Sequence, residues 1–242
     1  MSLIHRALAH HLYPDPDIHI PIGVKPATVS ILYSAVGDFY ARCGPNKSEP
    51  GWKAQGPIST TWRITETISI LDDLPHSSHD IALLTGPQVL DLLDTDIPDL
   101  STLHRSPATA YFAFPPRLPY HYLYSRSEAN PSHKKNSFTA WGAHILSRGH
   151  FITWTFDYGS SALRISRLKA DSDTLPVLLR TALGAGESQE CKTAEAWNVP
   201  QNLLEAATLL GGITGERKDY LPAYRWYGAE HTRNVVWVMN EQ

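Results

Sequence analysis

Three strand-like runs follow one another closely in the second half of the chain, and they constrain the fold more than any other feature. They are GAHILSR, HFITWTFDY and LRISRLKA, separated by turn residues at Arg148-Gly149 and Gly159-Ser160. Short runs rich in β-branched and aromatic residues, with glycine between them, are typical of neighbouring β-strands. We therefore expect a sheet between residues 142 and 170.

Two helical patterns follow this sheet. TLPVLLRTALG has Thr174 as its N-cap, Pro176 in its first turn and Gly184 at its end. In WNVPQNLLEAATLLGG the leucines and alanines fall on one face, and Gly211 closes the helix. NVVWVMN predicts a last strand. Because these elements carry their own caps and apolar faces, we expect residues 107–242 to fold by themselves.

A strand–helix–strand pattern surrounds ILYSAVGDFYARCGP in the first half. ATVSILYS is rich in β-branched residues and apolar on both faces, which predicts an interior strand. Ser34 can cap a short helix that ends at Gly44. Four residues of that helix fall at i, i+3, i+4 and i+7 and predict one continuous packed face: Val36, Phe39, Tyr40 and Cys43. In STTWRITETISI, Thr60, Trp62 and Ile64 alternate with Thr61, Arg63 and Thr65, which predicts the next strand.

The chain is expected to have two parts and an α/β (α+β) fold class. Asp, Pro, Ser and His dominate between residues 71 and 107, around one short helix, GPQVLDLLD. Such a segment is typical of a linker. The predicted organisation is a first part at 1–70, a linker at 71–106 and a C-terminal α+β domain at 107–242. No internal repeat at a solenoid period is found in the sequence.

Composition excludes several classes of partner. The 242 residues carry a net charge of −3, which gives no attraction to nucleic acid or to anionic membranes. No apolar run reaches the roughly 18 residues of a membrane span, and no signal peptide is found. Cys43 and Cys191 are far apart and fit a reducing compartment, so we expect a cytoplasmic protein. The histidines, including His76-x-x-His79, match no metal-ligand spacing, so no metal site is predicted.

One ordered set of motifs resembles a known family. LYSAVGDFYARCGP, GW and STTW give strand, serine, short helix, glycine, tryptophan-bearing loop and strand. In this order they resemble the second half of a GNAT-type N-acetyltransferase. The likeness is closer to the fungal lysine-acetyltransferase-like branch and continues in FITWTFDY, LRISRL, AEAWN, GERKDYLPAYRWYG and VVWVMNE. The resemblance implies the C-terminal half of a GNAT fold followed by a second α+β module.

The resemblance also implies a reaction, the transfer of an acetyl group from acetyl-CoA to a small-molecule amine, with the side-chain amine of lysine as a candidate. A tyrosine at the position of Tyr40 often protonates the departing CoA thiolate in this superfamily. A phenol within hydrogen-bond reach of the sulfur can accelerate such a step about 10²–10⁴-fold. Ser34 and Phe39, beside Tyr40, are then assigned to cofactor binding. The alternative is that Tyr40 and Phe39 pack in a core.

One element of the family's pattern is missing from the sequence. The superfamily binds the CoA pyrophosphate with a glycine-rich turn, R/Q-x-x-G-x-G/A, before the N-terminus of a helix. No such turn precedes SLIHRALAHH, the helical pattern that would follow it. The nearest string, RTALGAG from Arg180 to Gly186, ends a helix, where the dipole repels anions.

We therefore expect the chain to lack the N-terminal part of the family's catalytic domain and to bind acetyl-CoA weakly. The alternative function is a non-catalytic remnant or a binding module that cannot hold CoA. A sheet shortened in this way would expose an apolar edge beside residues 27–33, which predicts self-association.

Further candidates are weaker. Glu66 and Glu128 are the possible general bases, and Glu128 is also a candidate for substrate contact. Arg217 could meet a substrate carboxylate, with Trp226 beside it. The alternative for Arg217 and Trp226 is that they hold the last strand in place.

Overall fold

The computed structural model of the chain describes residues 28–44, 50–75, 80–97, 109–132, 140–228 and 234–238. These residues form two compact units that interleave along the sequence. The terminal unit contains the described residues up to Pro57, those at 109–113 and those from Arg217 onward. The central unit contains the described residues at 58–97 and 114–216. Helices and strands are both substantial, so the predicted mixed α/β class is confirmed.

The described residues form twelve strands: β1 Val29–Ser34, β2 Lys53–Ala54, β3 Ile58–Arg63, β4 Ile81–Leu84, β5 Ala110–Phe112, β6 Gly142–Ile145, β7 His150–Asp157, β8 Ala162–Lys169, β9 Thr193–Trp197, β10 Ile213–Glu216, β11 Leu221–Trp226 and β12 Val235–Trp237. They also form five α-helices: α1 Ile64–Asp72, α2 Gly86–Thr95, α3 Arg117–Glu128, α4 Leu175–Ser188 and α5 Leu204–Leu209. Two 3₁₀ helices complete the list: Gly37–Arg42 and Gln201–Leu203.

The central unit is built on a seven-stranded sheet in the order β10-β3-β9-β8-β7-β6-β4. The only parallel neighbours among these strands are β8 and β9, and α4 makes the crossover between them. β6, β7 and β8 form the antiparallel run that the sequence predicts, with the turns where they were expected.

The core of the central unit lies where α4 packs against α1 and β7. Leu178, Leu179 and Leu183 on α4 are fully buried, as are Trp62 on β3 and Trp154 on β7. Two buried indole N–H groups are satisfied by backbone carbonyls, since Trp62 donates to Ala207 and Trp154 donates to Ala140. Burying an aromatic ring while pairing its polar atom gives the unit its largest apolar contacts without an unsatisfied donor.

The terminal unit has a smaller sheet in the order β1-β11-β2, in which both pairings are antiparallel. A parallel pair, β5 and β12, lies beside a compact aromatic core. Its buried members are Phe112, Tyr224, Val235 and Trp237. The Tyr224 hydroxyl donates to the Val235 carbonyl at 2.6 Å, so this core is pinned by a hydrogen bond as well as by ring contacts.

Several expected elements differ from the structure. β1 lies at the edge of its described sheet, although its apolar pattern predicted an interior strand. The strand expected through STTWRITETISI ends at Arg63, and α1 begins at Ile64. Its buried residues recur at helical spacing: Ile64, Thr67, Ile68 and Leu71. This period outweighs the strand preference of isoleucine and threonine.

Other differences concern the ends and limits of elements. α4 continues past Gly184 to Ser188. Gly186 lies inside it at a close contact with α1, since a Cβ atom there would lie 2.8 Å from Ile64 Cδ1. The predicted linker at 71–106 contains β4 and α2. The interleaved units also divide the chain differently from the expected boundaries at residues 70 and 106.

Candidate functional site

The site built around Tyr40 begins where β1 ends, and we call residues 34–44 the Tyr40 turn. The Ser34 hydroxyl accepts the Val36 N–H at 3.2 Å and donates to the Gly37 carbonyl at 2.8 Å. Gly37 has φ +58°, a conformation that glycine adopts without steric cost. Ser34 is 2% exposed, so its hydroxyl serves the turn itself. Its assignment to cofactor binding stays a prediction.

The helix of the Tyr40 turn is a 3₁₀ helix, which changes the face that it presents. With three residues per turn, positions i, i+3, i+4 and i+7 no longer share one side. Cys43 is buried at 3% exposure, whereas Phe39 is 40% and Val36 is 57% exposed. The predicted continuous packed face is therefore wrong, and core packing does not explain Phe39.

Tyr40 is half-buried between two aromatic rings. Phe39 lies edge-on to it at a centroid distance of 5.4 Å and Trp52 at 6.1 Å. No residue that the structure describes forms a hydrogen bond with the Tyr40 hydroxyl. A phenol held by ring contacts, with its hydroxyl uncommitted, is able to donate a proton to a group outside the protein.

The loop before β2 fixes the backbone of the Tyr40 turn. The Gly51 N–H donates to the Ala41 carbonyl at 2.8 Å, and the Trp52 N–H donates to the Tyr40 carbonyl at 3.0 Å. A Cβ atom on Gly51 would lie 2.1 Å from the Tyr40 carbonyl oxygen, so only glycine allows this approach. Trp52 is thereby held beside Tyr40, a contact that the sequence did not reveal.

Arg225 on β11 holds the same loop from the other side. Its guanidinium donates to the carbonyls of Pro50 and Gly51, and the side chain is buried at 7% exposure. Hydrogen bonds from a charged group are about twice as strong as neutral ones. Sequence analysis missed Arg225, although a lone charge within the apolar run LPAYRWYG was a signal that it serves a buried partner.

Arg217 and Trp226 make contacts within the terminal unit. Arg217 donates to the Tyr220 carbonyl at 3.0 Å and to the Gly56 carbonyl at 3.5 Å. The Trp226 ring stacks on Phe112 at a centroid distance of 6.1 Å. These contacts favour the structural alternative for both residues, and their substrate roles stay predictions.

Glu66 and Glu128 lie in the central unit, whereas Tyr40 belongs to the terminal unit. Glu66 forms an exposed ion pair with Arg63 at 3.2 Å. Glu128 ends α3 and faces Tyr124. Burial, together with the hydrogen bond to Glu128 and its charge, raises the pKa of Tyr124 to about 12. Both carboxylates therefore have partners of their own, and their assignments as the general base stay predictions.

The start of α4 at Leu175 is separated from the end of β8 by residues 170–174, which bear on the fit of a pyrophosphate at this helix N-terminus. The Asp171 carboxylate lies there, accepting the N–H groups of Asp173 at 3.1 Å and Thr174 at 2.9 Å, the two residues before the helix. Arg148 lies 3.7 Å from the same carboxylate. The chain's own anion thus fills this position. RTALGAG lies inside α4, so its glycines form no phosphate turn.

No helix among the described residues is both long and apolar enough to cross a membrane. In the same part of the chain, no three His, Cys, Asp or Glu side chains come together as ligands for a metal ion.

Comparison with known proteins places the chain in a family. Residues 70–242 match the model of the LYC1 GNAT-like C-terminal domain. No curated protein matches the chain. Two solved structures are similar to it at 14% identity: the GCN5-related N-acetyltransferases from Kribbella flavida, with a TM-score of 0.45, and from Anabaena variabilis ATCC 29413, with a TM-score of 0.44.

The similarity covers 93% and 94% of this chain but only 48% and 49% of those two chains, so the chain spans about half of their length. The family match begins at residue 70, ahead of the start at 107 predicted for the C-terminal domain, and includes most of the chain. The predicted membership of the GNAT superfamily is confirmed. The chain belongs to the LYC1 GNAT-like C-terminal domain family, a lineage of acetyltransferase-like domains.

Proposed function

We propose that the protein transfers an acetyl group from acetyl-CoA to an amine, and that the Tyr40 turn carries the reaction. The observation behind this proposal is the half-buried Tyr40 phenol, which lies between Phe39 and Trp52 with a hydroxyl that no described residue engages. Among the described residues, the hydroxyls of Tyr224 and Tyr120 are buried, the first paired with the Val235 carbonyl and the second without a partner. The Tyr40 hydroxyl is not buried in this way, so it can reach a group outside the protein, which favours a role outside packing.

In the proposed reaction Tyr40 acts as the general acid. It gives its hydroxyl proton to the sulfur of the leaving thiolate as the carbon–sulfur bond of the thioester breaks. The amine nitrogen bonds to the acetyl carbon and releases a proton, which returns to the Tyr40 oxygen through solvent.

The substrate class that we propose is a free amino acid with a side-chain amine, lysine first, and the compartment is the cytoplasm. The family to which the chain belongs supports the acetyltransferase lineage. We further propose that acetyl-CoA binds weakly to this chain. The Asp171 carboxylate at the start of α4 supports this, because it repels a second anion there.

Thiol release from acetyl-CoA in the presence of lysine tests the proposal. Tyr40→Phe should lower kcat at least about 10²-fold with the fold retained, as loss of a general acid would. Tyr122→Phe is the matched control, since Tyr122 is 63% exposed and lies on α3 in the central unit. A Tyr40→Phe variant with unchanged kcat at saturating acetyl-CoA would contradict the proposed role of Tyr40.

The second candidate is a non-catalytic binding module, which the occupied N-terminus of α4 favours. Isothermal titration with acetyl-CoA separates the two functions when it is combined with the thiol assay. Weak binding with turnover supports the enzyme, whereas no heat of binding and no turnover support the module. A micromolar dissociation constant would contradict the expected weak binding.

Self-association through β1 is a further proposal about partners. β1 contains no charged residue, and its Ile31 and Tyr33 side chains are 37% and 42% exposed. An uncharged edge strand is able to pair with another chain. Sedimentation velocity over a range of concentrations should detect dimers that Ile31→Lys abolishes. A monomer at every concentration would contradict this proposal.

A further inference from the structure

The two units contain the same arrangement of strands. In the terminal unit β1 leads through the 3₁₀ helix Gly37–Arg42 to β2, and β11 lies between β1 and β2, antiparallel to both. In the central unit β9 leads through a helical segment to β10, and β3 lies between β9 and β10, again antiparallel to both. We call residues 198–210, which contain that helical segment, the Leu204 turn.

The middle strand of each arrangement comes from the other half of the chain. β3 directly follows β2 in sequence, yet it pairs within the central unit. β11 directly follows β10, yet it pairs within the terminal unit. The middle strand of each arrangement is therefore the strand that follows, in sequence, the last strand of the other arrangement.

The registers of the two middle strands agree residue by residue. In the terminal unit Leu32 faces Ala223, and in the central unit Ala196 faces Thr60. Two residues further along the middle strands, Arg225 faces Ser30 and Trp62 faces Ala194. With the strand starts Val29 and Thr193 aligned, both sets of pairs fall at equivalent positions, and so do the starts of the two 3₁₀ helices.

Trp62 and Arg225 lie at equivalent positions, and each donates a side-chain hydrogen bond to a backbone carbonyl. Each is a large buried side chain on the middle strand. Trp62 Nε1 donates to the Ala207 carbonyl of the Leu204 turn at 3.3 Å. Arg225 donates to the Gly51 carbonyl at 3.2 Å, in the loop that holds the Tyr40 turn. The middle strand thus bonds to the Leu204 turn itself in the central unit, and to the loop that holds the Tyr40 turn in the terminal unit.

A close glycine contact is also repeated before the second strand of each arrangement. Gly212 donates its N–H to the Ala207 carbonyl at 2.8 Å, and a Cβ atom on it would lie 2.6 Å from that oxygen. Gly51 also approaches its turn closely, but its N–H donates to the Ala41 carbonyl and a Cβ atom on it would meet the Tyr40 carbonyl oxygen, which are not the equivalents of Ala207. Strand order, direction, register, a large buried side chain on the middle strand and a glycine approach before the second strand therefore recur, whereas the carbonyl partners differ.

We propose that the chain contains two copies of one strand–helix–strand–strand module, residues 29–63 and 193–226, which exchange their last strands. Each module is incomplete without the strand from the other. A fragment of residues 107–242 lacks β3, the neighbour of both β9 and β10, and so will not complete the central sheet. This replaces the expectation that residues 107–242 fold by themselves.

Engineered disulfides in the full chain test the exchange. In a Cys43→Ala, Cys191→Ala background, Leu32→Cys with Ala223→Cys probes one exchanged pair, and Thr60→Cys with Ala196→Cys probes the other. Facing residues of antiparallel strands lie within the Cα distance that a disulfide bridges. The matched control is Leu32→Cys with Thr60→Cys, the pair that would face each other if each module kept its own last strand.

We expect peptide mass spectrometry after mild oxidation to find both exchanged links and no link between positions 32 and 60. A link between positions 32 and 60 would overturn the exchange. So would unlinked cysteines at 32 and 223 in a protein whose circular dichroism spectrum is native. Neither result depends on acetyl transfer, so the exchange is tested separately from the proposed function.

Discussion

The Tyr40 turn and the Leu204 turn occupy equivalent places in the two units, yet their side chains differ in kind. Alignment of Val29 with Thr193 puts Phe39 on Leu203, Tyr40 on Leu204 and Cys43 on Ala207. Leu203 is 1% exposed and belongs to the central core, whereas Phe39 is 40% exposed. Cys43 and Ala207 are both buried, at 3% and 0% exposure.

The two turns share a backbone arrangement, and their different side chains suit one to packing and the other to chemistry. In the Leu204 turn Leu203, Ala207 and Leu210 are buried, and its aliphatic side chains have no group that transfers a proton. The Tyr40 turn keeps the buried Cys43 but presents two aromatic rings, Phe39 and the Tyr40 phenol. Exposed aromatic residues next to an uncommitted hydroxyl are typical of a binding site rather than of a core. The comparison therefore supports the proposal that the terminal turn carries the chemistry, while the central turn contributes to stability.

The largest effect is expected from Trp62→Ala, which removes the side chain that fastens the Leu204 turn. Trp62 is fully buried, and truncation of such a residue costs about 3–5 kcal/mol of unfolding free energy. Urea denaturation followed by circular dichroism measures this loss. Trp62→Phe is the control, because it keeps most of the ring packing and removes the hydrogen bond to Ala207. Equal losses for the two variants would contradict the packing role.

Tyr40→Leu makes the terminal turn resemble the central one and should separate activity from stability. Loss of the general acid predicts a decrease in kcat of about 10²–10⁴-fold. Because Tyr40 is half-buried, the urea midpoint should move little. Leu204→Met, a change of similar volume in the central turn, should leave kcat unchanged. A Tyr40→Leu variant that unfolds would return Tyr40 to a structural role.

Arg225→Met tests the side chain that fastens the Tyr40 turn. It removes the hydrogen bonds to the Pro50 and Gly51 carbonyls while keeping most of the volume. Hydrogen bonds to charged groups are worth about 1.5–3 kcal/mol, so we expect a loss of that order in urea denaturation. Arg225→Lys keeps the charge and should recover part of the loss. Stability that is unchanged in Arg225→Met would contradict the fastening role.

The smallest effect concerns pH and the start of α4. Burial raises the pKa of the Asp171 carboxyl, but the hydrogen bonds from Thr174 and the charges of His150 and Arg148 outweigh it, so the pKa is lowered overall. A carboxyl with a lowered folded pKa stabilises the fold above its unfolded value of about 3.9, and this stabilisation is lost as the pH falls through the folded pKa.

Asp171→Asn should therefore reduce the melting temperature at neutral pH, and its difference from the wild type should shrink below about pH 4. Asp173→Asn is the control and should change the melting temperature little. Asp173 contacts the Asp171 carboxylate through its backbone N–H, which the substitution keeps. A difference that stays constant from neutral to acid pH would contradict the role of the Asp171 charge.

Sequence patterns predicted the elements whose local and tertiary preferences agree. β6, β7 and β8 follow the β-branched and aromatic runs and the glycine turns of their segments, and α4 begins at its predicted cap. α1 was missed because its isoleucines and threonines favour strands, while its burial follows a helical period. The Tyr40 turn was placed correctly, but its 3₁₀ geometry exposes residues that an α-helical period would have buried.

The strand exchange could not be predicted from the sequence. None of the six residues of β1 is identical to its equivalent in the segment 193–198. The two modules share backbone hydrogen bonding and burial, which many sequences satisfy. Arg225 and Trp62 are equivalent in place and in donating an N–H group, yet one is charged and the other aromatic. Only the pairing of the strands reveals that Arg225 and Trp62 lie at equivalent positions.

An NMR titration with acetyl-CoA tests the central claim most directly, because it detects weak binding and identifies the turn that responds. The protein would carry labelled tyrosine and phenylalanine rings and labelled leucine methyl groups. We predict chemical-shift changes at Tyr40 and Phe39 and none at Leu203 and Leu204. An unchanged Tyr40 ring at millimolar acetyl-CoA, or shifts confined to Leu203 and Leu204, would contradict the assignment of chemistry to the Tyr40 turn.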